Sequence, residues 1–180
     1  MTAQSIILHD KAFNIYINEE DIQERVKKIA QQINENFTGK EPVFISILNG
    51  SFFFTADLLR HIELPYEITF VRLASYMGSA SSGKVKILLG LNHQIKGRDI
   101  IIVEDIIDSG RTMVQMTELL KEHQPASLSI ATLLIKKEAL TENIEPEYTG
   151  FEVENKFIVG YGLDYLEKGR NLKSLYLVKE

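Results

Sequence analysis

Apolar positions along the chain follow two rhythms, one of three and four residues and one of short unbroken runs. After Asn18 and Asp21, an N-cap with an acidic residue three places on, Ile22, Val26, Ile29, Ile33 and Phe37 recur at steps of three and four. This predicts an amphipathic helix that stops near Gly39 and Pro42. Residues 43–48 (VFISIL) form a β-branched apolar run that ends in Asn49-Gly50, after which Ser51 can start a helix carrying Phe53, Ala56, Leu58 and Leu59. A strand follows over 66–73, then a small, polar, glycine-containing stretch at 74–84 (ASYMGSASSGK) that has little to bury and reads as a surface loop. Residues 85–91 are strand-like, Gly97-Arg98-Asp99 marks a turn, and 100–103 (IIIV) is a strand of the fully buried kind with carboxylates at its C-terminal edge. Residues 112–123 are helical through Met113, Met116, Leu119 and Leu120, and 127–135 (SLSIATLLI) is another buried strand. Shorter strands are expected at 157–161 and 175–178, with an irregular flap over 136–156.

Strands alternating with helices at this spacing imply right-handed crossovers, and so an α/β fold: a twisted, mostly parallel sheet flanked by helices, with a small flap or hood. At 180 residues and 44% hydrophobic content, the chain suits one domain over 1–180 with a sizeable core. Twenty Lys and Arg against 25 Asp and Glu give a net charge of −5, which disfavours a nucleic-acid partner. No apolar run approaches the ~20 residues of a membrane span, and the N-terminus lacks a basic segment followed by an apolar one, so a cytoplasmic protein is expected. With no cysteine, any nucleophile or metal ligand must use oxygen or nitrogen, and the four histidines are scattered singly, which weakens a zinc reading.

In open parallel sheets ligands bind beyond the carboxyl ends of the strands. The segment IIIVEDIIDSGRT (100–112) delivers Glu104, Asp105 and Asp108 there, then a Ser109-Gly110-Arg111-Thr112 turn into a helix. Gly110 permits close backbone approach. Helix-start amides with the Ser109 and Thr112 hydroxyls make a nest the size of one phosphate. Glu104 and Asp105 suit vicinal sugar hydroxyls and Mg²⁺, a hard cation. The same residue types also serve ordinary capped turns, but crowding three carboxylates beside a buried strand calls for a cation or hydroxyl partner. The motif is neither a Walker loop nor a dinucleotide fingerprint.

VEDIIDSGRT closely resembles the phosphoribosyl pyrophosphate motif of the hypoxanthine-guanine phosphoribosyltransferases. ILNGSFFF (47–54) is similar to that family's pyrophosphate loop, SYMGSASSGKVKI (75–87) to its lid, LLIKK (133–137) to its purine-reading strand, and KFIVGYGLDY (156–165) with Arg170 to its last active-site segment. The resemblance implies transfer of a phosphoribosyl group to N9 of a 6-oxopurine. By it, Asp108 accepts the purine N7 proton, Lys136 donates to O6, Phe157 stacks on the base and the Ile158 carbonyl faces the purine 2-position. Glu104, Asp105, Ser109, Gly110, Arg111 and Thr112 hold the phosphoribosyl group. Asn49, Gly50 and Arg170 meet pyrophosphate, Ser75 and Tyr76 close over it, and Glu104, Asp105 and Asp164 hold Mg²⁺. Asn49 stands where many relatives carry Lys or Arg, which leaves the loop's backbone as its means of contact. A homodimer or homotetramer is the family expectation. A xanthine-preferring enzyme and a phosphoribosyl pyrophosphate-sensing nucleic-acid-binding regulator are the alternatives, the second disfavoured by the acidic charge.

Overall fold

The computed structural model describes residues 4–75, 85–87 and 95–179. A hairpin of β1 (Ser5–Leu8) and β2 (Lys11–Ile17) leads into α1 (Glu19–Asn36), β3 (Val43–Leu48), α2 (Phe52–Leu59), β4 (Glu67–Ser75) and β5 (Val85–Ile87). The chain continues through β6 (Asp99–Ile107), α3 (Arg111–Glu122), β7 (Ser127–Ile135), a 3-10 turn (Lys137–Ala139), β8 (Tyr148–Glu152), β9 (Ile158–Val159) and β10 (Leu175–Val178). The main sheet runs β5-β4-β3-β6-β7-β8, five parallel strands with β5 antiparallel at one edge.

Strands β3 and β6 sit at the centre because both faces of their apolar runs can be covered. On one face α1 presents Ile22, Val26, Ile29 and Ile33 to Phe44, Ile101 and Leu133, joined by Phe54 and Leu58 of α2. On the other, Met113, Met116 and Leu120 of α3 cover Ile45, Ile100 and Ile102. Each such side chain contributes about 1.5–3 kcal/mol on burial. Helix α1 starts where predicted: the Asn18 side-chain oxygen accepts from the Asp21 amide at 2.8 Å, and its amide donates to the Asp21 carboxylate at 2.8 Å.

Five sequence expectations change. The buried stripe of α2 is Phe54, Thr55 and Leu58, with Phe53 36% exposed, because three consecutive phenylalanines leave the helical phase undetermined and Thr55 is buried through a 2.8 Å bond to Ser46. Strand β6 continues to Ile107, so Glu104 and Asp105 lie within it; Ile106 and Ile107 still pair with Leu134 and Ile135. The stretch 136–156 contains β8, which pairs with β7 and extends the sheet. The hood is instead a second, antiparallel sheet, β1-β2-β10-β9, built from the two ends of the chain around Phe13, Val159 and Tyr176. Strand β4 runs on to Ser75, while Tyr76 and the rest of the expected lid up to Lys84 lie outside the described residues.

Candidate active site

The carboxyl ends of β3, β6 and β7 point the same way, and the loops that follow them meet a turn of the hood. After β3, the Leu48–Asn49 peptide is cis, Asn49 is exposed and Gly50 is buried. The loop is anchored below by a buried hydroxyl cluster: Ser46 bonds both Ser51 and Thr55 at 2.8 Å, and the Ser51 hydroxyl donates to the Ile47 carbonyl at 2.5 Å. Gly50 has no room for a side chain, since a Cβ there would fall 1.5 Å from Oδ2 of Asp105. A Cβ on Gly162 would in turn fall 2.0 Å from the Gly50 carbonyl oxygen. Asp105, Gly50 and Gly162 are thus stacked backbone against carboxylate and backbone against backbone.

Glu104 and Asp105 are each only 8% exposed. Burial first, and the neighbouring Asp105 charge second, push the Glu104 carboxyl well above its ordinary range. Two crowded carboxyls of this kind fit a hard divalent cation. Among the described residues, no three His, Cys, Asp or Glu side chains gather into a cage, so the fit is to an ion that keeps oxygen ligands from substrate or water, the habit of Mg²⁺.

Beyond β6, Ile47, Glu104, Asp108, Ser109, Gly110 and Thr112 line a cleft of about 160 Å³. Gly110 adopts φ +83 and begins α3; a Cβ on it would lie 2.9 Å from the Ile144 side chain. The Ser109 carbonyl accepts from the Thr141 and Glu142 amides at 3.0 and 3.3 Å, so the chain after β7 braces the nest from outside. Arg111 is exposed, 3.9 Å from Glu142. Lys136 follows β7 directly, with its amide on the Ile107 carbonyl at 2.9 Å, and is 8% exposed. Its ammonium reaches Asp108 at 3.4 Å, a loose contact that leaves the Asp108 side chain 61% exposed.

In the hood, Phe157 is 42% exposed, with its ring 5.5 Å from that of Tyr165 and 6.2 Å from that of Phe13, while Ile158 is buried in β9. Asp164 and Arg170 face each other at 2.7 Å; Asp164 also accepts from the Glu167 amide, and Arg170 donates to the Gly162 carbonyl at 2.8 Å. The structure therefore brings Asn49, Gly50, Glu104, Asp105, the 108–112 turn and Lys136 to one sheet edge beside the hood turn that bears Asp164. Ser75 ends β4, opposite Val85 in register, and Tyr76 is outside the described residues. Sequence reasoning missed the Ser46, Ser51 and Thr55 cluster and the Gly162 contact. The paired glycines of Gly160-Tyr161-Gly162 were the available signal for the latter. A larger groove of about 660 Å³, lined by Lys27, Gln31, Arg60 and His61 among others, lies at the opposite end of the sheet, after α2.

Comparison with known proteins points the same way. The family profile for the phosphoribosyl transferase domain matches residues 15–166. The chain is 44% identical over 172 residues to the hypoxanthine-guanine phosphoribosyltransferase of Lactococcus lactis, covering 94% of this chain and 93% of that protein. It is 41% identical over 175 residues to the enzyme of that name from Streptococcus pneumoniae, with 97% of each covered. A crystal structure of a hypoxanthine-guanine phosphoribosyltransferase from Bacillus anthracis, with a HEPES molecule in its active site, superposes with a TM-score of 0.86 at 42% identity over 93% of this chain and 97% of that one.

Proposed function

The chain belongs to the hypoxanthine-guanine phosphoribosyltransferase family, and from that premise we propose how its residues divide the work of a purine salvage enzyme. The reaction moves the 5-phosphoribosyl group of phosphoribosyl pyrophosphate to N9 of hypoxanthine or guanine, releasing pyrophosphate. The observation that carries the assignment of roles is that Asp108, Ser109, Gly110, Thr112 and the buried Glu104 line one cleft, with the Lys136 ammonium reaching Asp108 at 3.4 Å.

The 5-phosphate sits in the nest, held by backbone amides at the start of α3, by the Ser109 and Thr112 hydroxyls and by the Arg111 charge. Glu104 and Asp105 accept from the ribose hydroxyls. Asp108 takes the proton from purine N7 as N9 attacks, and its exposure leaves it open to the incoming base. Lys136 turns from Asp108 to the purine O6; an ammonium has donors only, so the 6-amino group of adenine finds no acceptor there. Phe157 stacks on the base and the Ile158 backbone reads its 2-position. The Asn49 and Gly50 amides meet the pyrophosphate, and Arg170 joins them once the anion competes with Asp164 for its guanidinium. Glu104 and Asp105 on β6 would hold Mg²⁺ from the ribose side and Asp164 on the hood turn from the pyrophosphate side; the cation, when bound, would neutralise charge on the departing pyrophosphate. Ser75 and Tyr76 belong to the lid that excludes water. Exposed Phe52 and Phe53, their rings 5.2 Å apart, support association into a homodimer or homotetramer.

The test is to incubate the protein with phosphoribosyl pyrophosphate, Mg²⁺ and each of hypoxanthine, guanine, xanthine and adenine, and to measure nucleotide formed. Product from the first two is expected. None from either would refute the reading, and product from xanthine above all would replace it with the xanthine-preferring one.

A further inference from the structure

One polar cluster beside the hood is used by none of the roles above. Asp57, on α2, accepts with a single oxygen from the Gln23 amide of α1 at 2.6 Å and from the Tyr161 phenol of the hood turn at 2.6 Å. Tyr161 is 4% exposed and holds φ +46, a left-handed conformation unusual for a bulky residue, between Gly160 at +100 and Gly162 at +103. Its amide donates to the Leu172 carbonyl at 2.8 Å, and the Gly162 amide to that of Arg170 at 2.9 Å.

We infer that Asp57 and Tyr161 form a positioning pair that seats the 160–162 turn on Gly50 and thereby sets the geometry of the pyrophosphate contacts. The inference rests on the function proposed above and adds to it two residues that touch no substrate. The turn lies directly on the Gly50 carbonyl, and Arg170 bonds back to the Gly162 carbonyl. A shift of Tyr161 is therefore passed to Gly50 and to Arg170, the two elements facing pyrophosphate. Asp57 sits on the helix that begins two residues after Gly50, so it ties the same loop from its other side. On the purine side, Lys136 and Asp108 follow β7 and β6, and Phe157 and Ile158 are held independently by β10, through the Leu177–Ile158 pairing and the Val178 amide on the Phe157 carbonyl at 2.9 Å. An apolar contact alone would be served by phenylalanine; the hydroxyl aimed at a carboxylate is what requires a further explanation. Burial, reinforced by Asp57, holds the phenol well above its ordinary pKa, so it stays a donor.

Tyr161→Phe should raise KM for phosphoribosyl pyrophosphate about tenfold, the loss of one charge-assisted hydrogen bond, and Asp57→Ala, which also loses the Gln23 bond, by at least as much. KM for hypoxanthine should stay within about twofold. Asp57→Asn, which keeps an oxygen to accept from the phenol, should recover most of the loss. An equal change in both KM values, no change in either, or a fall in thermal stability without the split would overturn the inference. Nucleotide formation by the unaltered protein separates the two readings. If it forms none, the functional reading fails and the pair is judged by hydrogen exchange: Tyr161→Phe must raise exchange at Gly50 and Gly162 together while α1 stays protected, and exchange rising at Gly162 alone would overturn it.

Discussion

Replacing Gly50 by alanine puts a methyl carbon 1.5 Å from one oxygen of Asp105 and 2.5 Å from its carboxyl carbon. Ordinary contact needs the two groups to part by roughly 2 Å. Asp105 cannot retreat as a unit, because its strand is held between β3 and β7. The loop cannot retreat either, since the Gly50 carbonyl already lies against Gly162. Overpacking of this kind costs about 1–3 kcal/mol. For a domain of this size, about 2 kcal/mol corresponds to a fall in Tm of about 4–8 °C. The displaced loop should lower kcat/KM for phosphoribosyl pyrophosphate about 100-fold, the usual consequence of a 1 Å misplacement in a site built by positioning. Gly39→Ala is the control: nothing lies within 4 Å of its Cβ position, but φ is +76, so it should lose about 1 kcal/mol of stability with rates unchanged. Thermal unfolding and initial rates at varied phosphoribosyl pyrophosphate measure both quantities. A folded Gly50→Ala protein with kcat/KM near that of the parent would refute the stacked arrangement as a working part of the site.

Three further outcomes are expected. Asp108→Asn should change stability by less than about 0.5 kcal/mol, because the side chain is 61% exposed and its ion pair is loose, yet lower kcat by about 10²–10⁴; normal turnover would remove it from proton transfer. The unaltered enzyme should prefer hypoxanthine to adenine by about 10⁴ in kcat/KM, and Lys136→Met should collapse that preference mainly through loss of hypoxanthine activity; an undiminished ratio would place base recognition elsewhere. Tyr161 holds its proton in the folded state at alkaline pH where the unfolded chain has lost it, so stability should decline as pH rises above about 10. Urea titrations at several alkaline pH values should show a shallower decline in Tyr161→Phe, and identical slopes would contradict the buried, Asp57-paired phenol.

Strands β3, β7 and β10 and the cap of α1 were legible to the residue, because a buried parallel strand is written as a continuous apolar run and an N-cap needs only neighbours three residues apart. The segment from Glu104 to Thr112 was legible as a motif, since its acids and helix start are contiguous in the chain, but not that β6 runs on to Ile107 and takes Glu104 and Asp105 into the strand. Strand β2 carries alternating Phe13, Ile15 and Ile17, but its partner β10 lies near the far end of the chain, and no local pattern names a partner. The phase of α2 and the role of Thr55 depended on a hydroxyl brought to it from β3. Local periodicity and contiguous motifs report what one segment does with its own neighbours. The approach of Asp105 to Gly50, of Gly50 to Gly162, and of Asp57 to Tyr161 joins residues 55 to 112 positions apart, and only the packing of helices and hood around the sheet brings those atoms into contact.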